Sequence, residues 1–467
     1  MPDLPATWAT SGSYPARPGN ELAVFIDGQD SFAAIYDAIA NTKSYLYATF
    51  AYVDFDFRLR PDLPMPLLDI LRSRAVAGVD VRILIWDPVT HIPGTIRDPG
   101  ATVIPGINQG PGSVQARWDQ PALGGLYLFG CHHQKTFVMD GQTAFVGGIN
   151  SLQPYWDTHA HDPLDIRRVP FSVPRNQAAA VVNQYPPLHD LFTKLKGPCL
   201  QDVEANFLER WNGATFKHEP FANDAAPHAA PEPAGPRTLQ IIRTIASGQY
   251  AATPKGERSI LEIYRSAIAS ARRFIYFENQ YYYDPGVTDA IEQAINRGVK
   301  VIGLMARRPD AGQLQGYFET AKEWLGNAGL VIRRWLRKSK VELYCPVIAR
   351  PDPAKPGGFL FTDIYVHAKA LIVDDSFFTI GSANISTFSM KYHSEMNVVA
   401  NDPSRARALR RLLWQEHLQS ADIPDEVLAN GLDGFDTWRK AAQDNLAAYK
   451  TRTKPPSRIF PWDFDFD

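Results

Sequence analysis

One long block of this 467-residue chain occurs twice. HHQKTFVMDGQTAFVGGIN (His132 to Asn150) resembles VHAKALIVDDSFFTIGSAN (Val366 to Asn384), and the two copies stand close to half a chain apart. Two shorter blocks precede each copy in the same order. KSYLYATFAYV (Lys43 to Val53) pairs with RRFIYFENQYY (Arg272 to Tyr282), and AGVDVRILIWDP (Ala77 to Pro88) pairs with RGVKVIGLMARRP (Arg297 to Pro309). A repeat at this period means two copies of one structural unit, so any fold must be built twice.

Within each copy, helical and strand-like patterns alternate. Residues 29–42 have helical spacing, 45–53 form an apolar strand-like run, 66–77 read as a helix and 79–86 as a strand. The second copy gives a helix over 257–271, a strand over 274–277, a helix over 287–297 and a strand over 300–305. Alternation of this kind predicts α/β layers around a mostly buried sheet. The Ala/Pro-rich stretch His218 to Pro236 reads as a linker. The expected units are therefore 1–217, a linker or loop over 218–238, and 239–467.

Each copy carries His-x-Lys-x-x-x-x-Asp: His133, Lys135 and Asp140, then His367, Lys369 and Asp374. The match extends to Gly147 and Gly381 and to Asn150 and Asn384, at equal distances beyond the aspartates. A duplicated, extended pattern is a strong signal where one bare match would be weak. The apolar runs after each lysine suggest that the motif starts along a strand, with His and Lys on one face. Asp140 and Asp374 fall at the following turn and are expected to support structure. The GGIN and GSAN segments place the small residues Gly148 and Ser382 near the cleft, where backbone N–H groups approach an anion closely. Asn150 and Asn384 add amide side chains there.

This set suits an anionic phosphodiester. Lysines stabilise developing charge, a neutral histidine attacks phosphorus, and a protonated one supplies the leaving alkoxide with its proton. That chemistry requires no metal or cofactor, and no carboxylate cluster of the usual spacing is evident. Net charge is −2 with no basic run, which argues against a nucleic-acid partner. Three cysteines without Cys-x-x-Cys pairing argue against a disulfide framework or a zinc–cysteine site. No run approaches the ~20 apolar residues of a spanning helix, and the first residues lack the pattern of a cleaved signal. The expectation is a soluble chain, cytoplasmic or exported by a signal-less route.

The paired motifs resemble the signature of the phospholipase D superfamily. FENQYY (Phe277 to Tyr282), GGINSLQPYWDT (Gly147 to Thr158), PPLHDLFTKLKGPCLQDVEANFLERWN (Pro186 to Asn212) and KYHSEMNV (Lys391 to Val398) resemble further family segments. The resemblance implies two pseudo-repeated α/β/α sandwich halves packed together, with one active site at their interface. It implies that Glu395 orients His133 as nucleophile and that Asp190 orients His367 as general acid, through a phosphohistidine intermediate. Leu188 and His393 depart from the family's usual tryptophan and aspartate, and Asp157 and Asp165 lie close enough in sequence to compete with Asp190. The implied substrate is a glycerophospholipid at a membrane surface, cleaved to phosphatidate or transferred to an alcohol. The alternatives are a nuclease of the same chemistry or a cardiolipin-synthase-like transferase. The size and signal-less start also resemble bacterial lipase effectors.

Overall fold

The computed structural model describes residues 7–86, 106–110, 112, 114–119, 131–213, 224–307, 340–419, 431–432 and 434–464. The first copy contributes strands β1 (Arg17–Ile26), β2 (Tyr45–Phe50), β3 (Asp80–Trp86), β4 (Gln115–Asp119), β5 (Thr136–Met139), β6 (Thr143–Gly147), β7 (Leu188–His189) and β8 (Leu191–Lys196). The second contributes β9 (Arg237–Ile245), β10 (Glu257–Arg258), β11 (Phe274–Asn279), β12 (Lys300–Met305), β13 (Glu342–Pro351), β14 (Phe359–Asp363), β15 (Tyr365–Val366), β16 (Lys369–Val373), β17 (Phe377–Gly381), β18 (Glu395–Ala400) and β19 (Ile459–Pro461).

The duplicated blocks adopt one topology. In the first copy β2 and β3 run parallel, β3 and β4 run parallel, and β5 pairs antiparallel with both β2 and β6. In the second copy β11 and β12 run parallel, β12 and β13 run parallel, and β16 pairs antiparallel with both β11 and β17. Strands β2, β5, β11 and β16 are buried along their whole length. This explains why they read as continuous apolar runs without alternation. The helices Asp27–Asn41 and Ser259–Ser270 precede the equivalent strands β2 and β11, and each buries one apolar stripe.

The two sheets meet at β1, which pairs with β8 from Glu21 to Ile26 and with β9 at Arg17 and Asn20. One apolar cluster runs across both copies, with Val138, Leu191 and Trp211 from the first beside Tyr276, Ile372 and Val398 from the second. Elements packed this way bring the two motif strands close to each other.

Most expected elements match the structure to within one or two residues at each end, and three differences have a clear physical reason. The strand expected over 45–53 ends at Phe50, because Val53 leaves the sheet to bridge Ser151. The helix expected from 257 starts at Ser259, since Glu257 and Arg258 pair with β9 instead. The motif strands begin after the histidines: at Thr136 in the first copy and at Lys369 in the second. His133 and His367 therefore lie in extended segments ahead of the strands and dock on the opposite copy. His133 N–H donates to Ser394 O (2.9 Å) and His367 N–H to His189 O (2.8 Å).

Part of the expected linker, 218–223, lies outside the described residues, as does 465–467 of the C-terminal tail. All three cysteines are buried and free. Among the described residues no helix is long and apolar enough to cross a membrane.

Candidate active site

The crossed docking brings the two motifs face to face. The rings of His133 and His367 have centroids 6.4 Å apart. Each ring is gripped at Nδ1 by the opposite copy, so Nε2 is the ring nitrogen these bonds do not use. Nδ1 of His133 lies 3.1 Å from both carboxylate oxygens of Glu395 and 3.1 Å from Ser382 O. Nδ1 of His367 lies 2.6 Å from Asp190 Oδ2. Asp157 and Asp165 are occupied elsewhere. Asp157 pairs with Arg168 and accepts from Leu188 N–H, and Asp165 caps the turn Ile166–Arg168. His393 Nδ1 stands 3.6 Å from Glu395 on the half-exposed rim.

Lys135 Nζ donates to His133 O at 2.7 Å, and Lys369 Nζ donates to His367 O. Each lysine thus bonds the carbonyl of its own histidine while its remaining protons stay available to an anion. Asn150 and Asn384, at equivalent points beyond the two motifs, are both buried. Both amide atoms of Asn150 and Oδ1 of Asn384 are buried without a hydrogen-bond partner. An unpaired buried amide costs about 1–3 kcal/mol, so a polar group held here is poised for a ligand.

Gly148 and Ser382 behave differently from expectation. Their backbone N–H groups are consumed inside the sheet: Gly148 donates to Leu191 O and Ser382 to Met396 O, both at 3.0 Å. They cannot cradle an anion in that way. A Cβ on Gly148 would stand 2.3 Å from Asp190 Oδ1, so the missing side chain makes room for the carboxylate. The Ser382 hydroxyl donates to Glu395, as does Ser389 at 2.6 Å. Ser389 and Tyr155, whose ring meets His367 edge-on at 5.1 Å, carry no repeat signal and were invisible in the motif.

Asp140 and Asp374 sit at left-handed turns (φ 54° and 53°). Their carboxylates accept three backbone N–H groups each, from Lys43, Ser44 and Tyr45 and from Arg272, Arg273 and Phe274. They face away from the histidines and lock each motif strand to its neighbour. Glu278 is buried beneath the site and accepts from His189 and His417 at 2.9 Å, while Gln280 donates to Tyr365.

Burial sets the electrostatics. It pushes His133 down to about 4, although Glu395 opposes it. Burial raises Glu395, yet the His133 ring and the bond to it outweigh that effect and hold the carboxylate well below its ordinary range. At neutral pH the first pair is a neutral imidazole donating to a carboxylate. In the second pair burial pushes Asp190 up to about 7, and burial with Lys369 and Lys135 holds His367 well below 6.5. Burial thus disfavours charge on both partners of this short contact. The two histidines therefore sit in different protonation environments, which is what acid–base division of labour needs. Burial also lowers Lys135 to about 8 and Lys369 to about 7.

A sequence model described as Phospholipase D matches residues 38–288. The chain belongs to the phospholipase D superfamily. A second model, Cardiolipin synthase, PLD-like domain, matches residues 264–416 of this superfamily member. Phospholipase D A of Dictyostelium discoideum is 25% identical over 87% of the chain and 36% of its own length. Phospholipase D alpha 1 of Arabidopsis thaliana is 25% identical over 83% of the chain and 64% of its own length. The chain thus spans between about a third and two thirds of the curated relatives it matches. A phosphatidylserine synthase from Haemophilus influenzae Rd KW20 shares the fold. Its TM-score is 0.54 at 14% identity, with 93% of this phospholipase D-family chain and 96% of that one covered.

Proposed function

We propose that this protein is a phospholipase D, which cleaves the distal phosphodiester of a glycerophospholipid to phosphatidate and a free alcohol. The observation that carries this reading is the facing pair of buried histidines, each tied to a carboxylate of the other copy. Family membership supports the chemistry, and the curated relatives' names support the substrate class.

In this reading Nε2 of neutral His133 attacks phosphorus. The bond to the leaving alkoxide breaks, and a proton held by the Asp190–His367 pair passes to that oxygen through His367. Lys135 and Lys369 hold the non-bridging oxygens, with Asn150 and Asn384 beside them. In the second step His367, now lacking that proton, accepts one from water. The hydroxide displaces His133 and phosphatidate is released. A primary alcohol that replaces water gives the phosphatidyl ester, so hydrolysis and head-group exchange share one intermediate. The two copies, 1–217 and 239–467, then act as one catalytic unit, because neither holds its own histidine.

The test is incubation with defined phospholipid vesicles and, separately, with single-stranded DNA. Phosphatidate and free head group should appear, and added primary alcohol should divert part of the product to the phosphatidyl ester. Cleavage of DNA with lipid untouched would support the nuclease alternative instead.

A further inference from the structure

Behind Asp190 lies a second group of ionisable side chains with no part in the chemistry above. His189, the residue before Asp190, is fully buried, and so are Asp27 and His161; Glu416 joins them from the helix Pro403–Leu418. The ligand-capable atoms converge on one point. His161 Nε2 lies 3.5 Å from Asp27 Oδ2 and 3.0 Å from Glu416 Oε1. His189 Nδ1 lies 3.0 Å from Asp27 Oδ1 and 3.1 Å from Glu416 Oε1. A tetrahedron of nitrogen and oxygen ligands around zinc, at the usual bond lengths, has edges of about 3.3 Å.

The surroundings match as well. The other ring nitrogen of each histidine is held by a carboxylate: His161 Nδ1 by Asp157 Oδ2 and His189 Nε2 by Glu278 Oε2, both at 2.9 Å. Such bonds fix the tautomer and aim the free nitrogen at a metal. Charge points the same way. Four carboxylates meet here (Asp27, Glu416, Asp157, Glu278), against the guanidiniums of Arg168 and Arg458 and the ring of His159, which lies 3.2 Å from Asp27 and 3.4 Å from Glu416; His417 bonds Glu278 as well. With His161 and His189 neutral the group keeps an excess of negative charge, which a divalent ion would offset. A surface pocket lined by His159, Gln419 and Arg458 touches the group at Glu416.

We propose that Asp27, His161, His189 and Glu416 bind one zinc ion, which clamps the first copy to the helix Pro403–Leu418 of the second. The ion is a positioning element and touches no reacting atom. Asp27 N–H donates to Asp190 O at 2.8 Å and the Asp27 carboxylate faces Asp190 N–H at 3.4 Å. The metal thereby anchors the backbone that presents Asp190 to His367. This inference is independent of the substrate.

The alternative is a metal-free network in which His161 and His189 balance the carboxylates as protonated rings. The full-length protein, purified without a metal-affinity column, distinguishes the two by elemental analysis. The expected content is about one zinc per chain. Removal by a strong chelator should lower the melting temperature by about 5 °C or more, reversed by stoichiometric zinc. Cobalt added to the stripped protein should give the intense visible bands of a tetrahedral site. Glu416→Gln should lose the ion. Should that variant fail to fold, the cobalt titration of the unmutated protein decides. Protein that contains no stoichiometric ion, and neither rises in melting temperature with zinc nor colours with cobalt, overturns the proposal.

Discussion

Asp190 Oδ2 stands 2.6 Å from Nδ1 of His367, a contact between residues 177 positions apart that come from opposite copies of the repeat. Its counterpart, Glu395 on His133, crosses in the other direction. Each copy therefore supplies one ring and the carboxylate that orients the other copy's ring.

This crossing predicts that Asp190→Asn and Glu395→Gln each reduce kcat by about 10²–10⁴, the range in which positioned acid–base groups act. Asp190→Asn should not lower the melting temperature, because it keeps the side chain's shape and removes a carboxylate whose ionisation burial opposes. A loss of activity that merely follows unfolding, seen by circular dichroism, would make Asp190 a structural residue.

The unpaired amides give a second expectation. Asn150→Ala removes two buried polar atoms without a protein partner and Asn384→Ala removes one, so stability should hold or rise, by at most about 1–3 kcal/mol. Turnover should fall by about 10²-fold, as for loss of one oxyanion-type donor. Denaturant titration and initial rates on a soluble phosphodiester check both. A large stability loss with normal kinetics would place these amides in the core's support.

Much of this was legible in the chain. The strand expected over 300–305 has its observed bounds, because a short apolar run after a Gly-containing turn is too short for a helix. The histidine and lysine positions were legible because they are duplicated. What escaped was whatever depends on distant segments meeting. The choice of Asp190 over Asp157 is made by Arg168, which neutralises Asp157. The backbone of Gly148 and Ser382 was expected in the cleft, but adjoining strands claim it first. The group around His189 draws on residues 27, 161, 189 and 416, and no spacing in the sequence announces it.

The pH dependence of kcat/KM on a soluble substrate should be bell-shaped. As pH falls through about 4, His133 gains a proton and stops acting as a nucleophile. As pH rises through about 7 and then 8, Lys369 and Lys135 lose the charge that holds phosphate. The plateau lies between about 5 and 7. The Glu395 charge raises His133, so Glu395→Gln should move the acid limb to lower pH. An acid limb near 6.5 in the unmutated protein contradicts the assignment of His133.

Asp374→Ala separates fold from chemistry. It strips three backbone N–H groups of their acceptor and leaves alanine at φ 53°. Stability should drop by about 2–4 kcal/mol, while kcat per folded molecule stays near that of the parent. A selective fall in kcat, with the denaturation midpoint unchanged, would give Asp374 a part in catalysis.

The account rests on His133 carrying the phosphoryl group. His367→Ala removes the acid needed for an alkoxide but not for a good leaving group such as p-nitrophenolate, and it removes the base that activates water. With a p-nitrophenyl phosphodiester, His367→Ala protein should therefore release a burst of nitrophenol and accumulate a covalent adduct. Rapid quenching at alkaline pH followed by peptide mass spectrometry locates the group. The account predicts it on His133. An adduct on His367 in the His133→Ala protein, or no adduct in either variant, would contradict it.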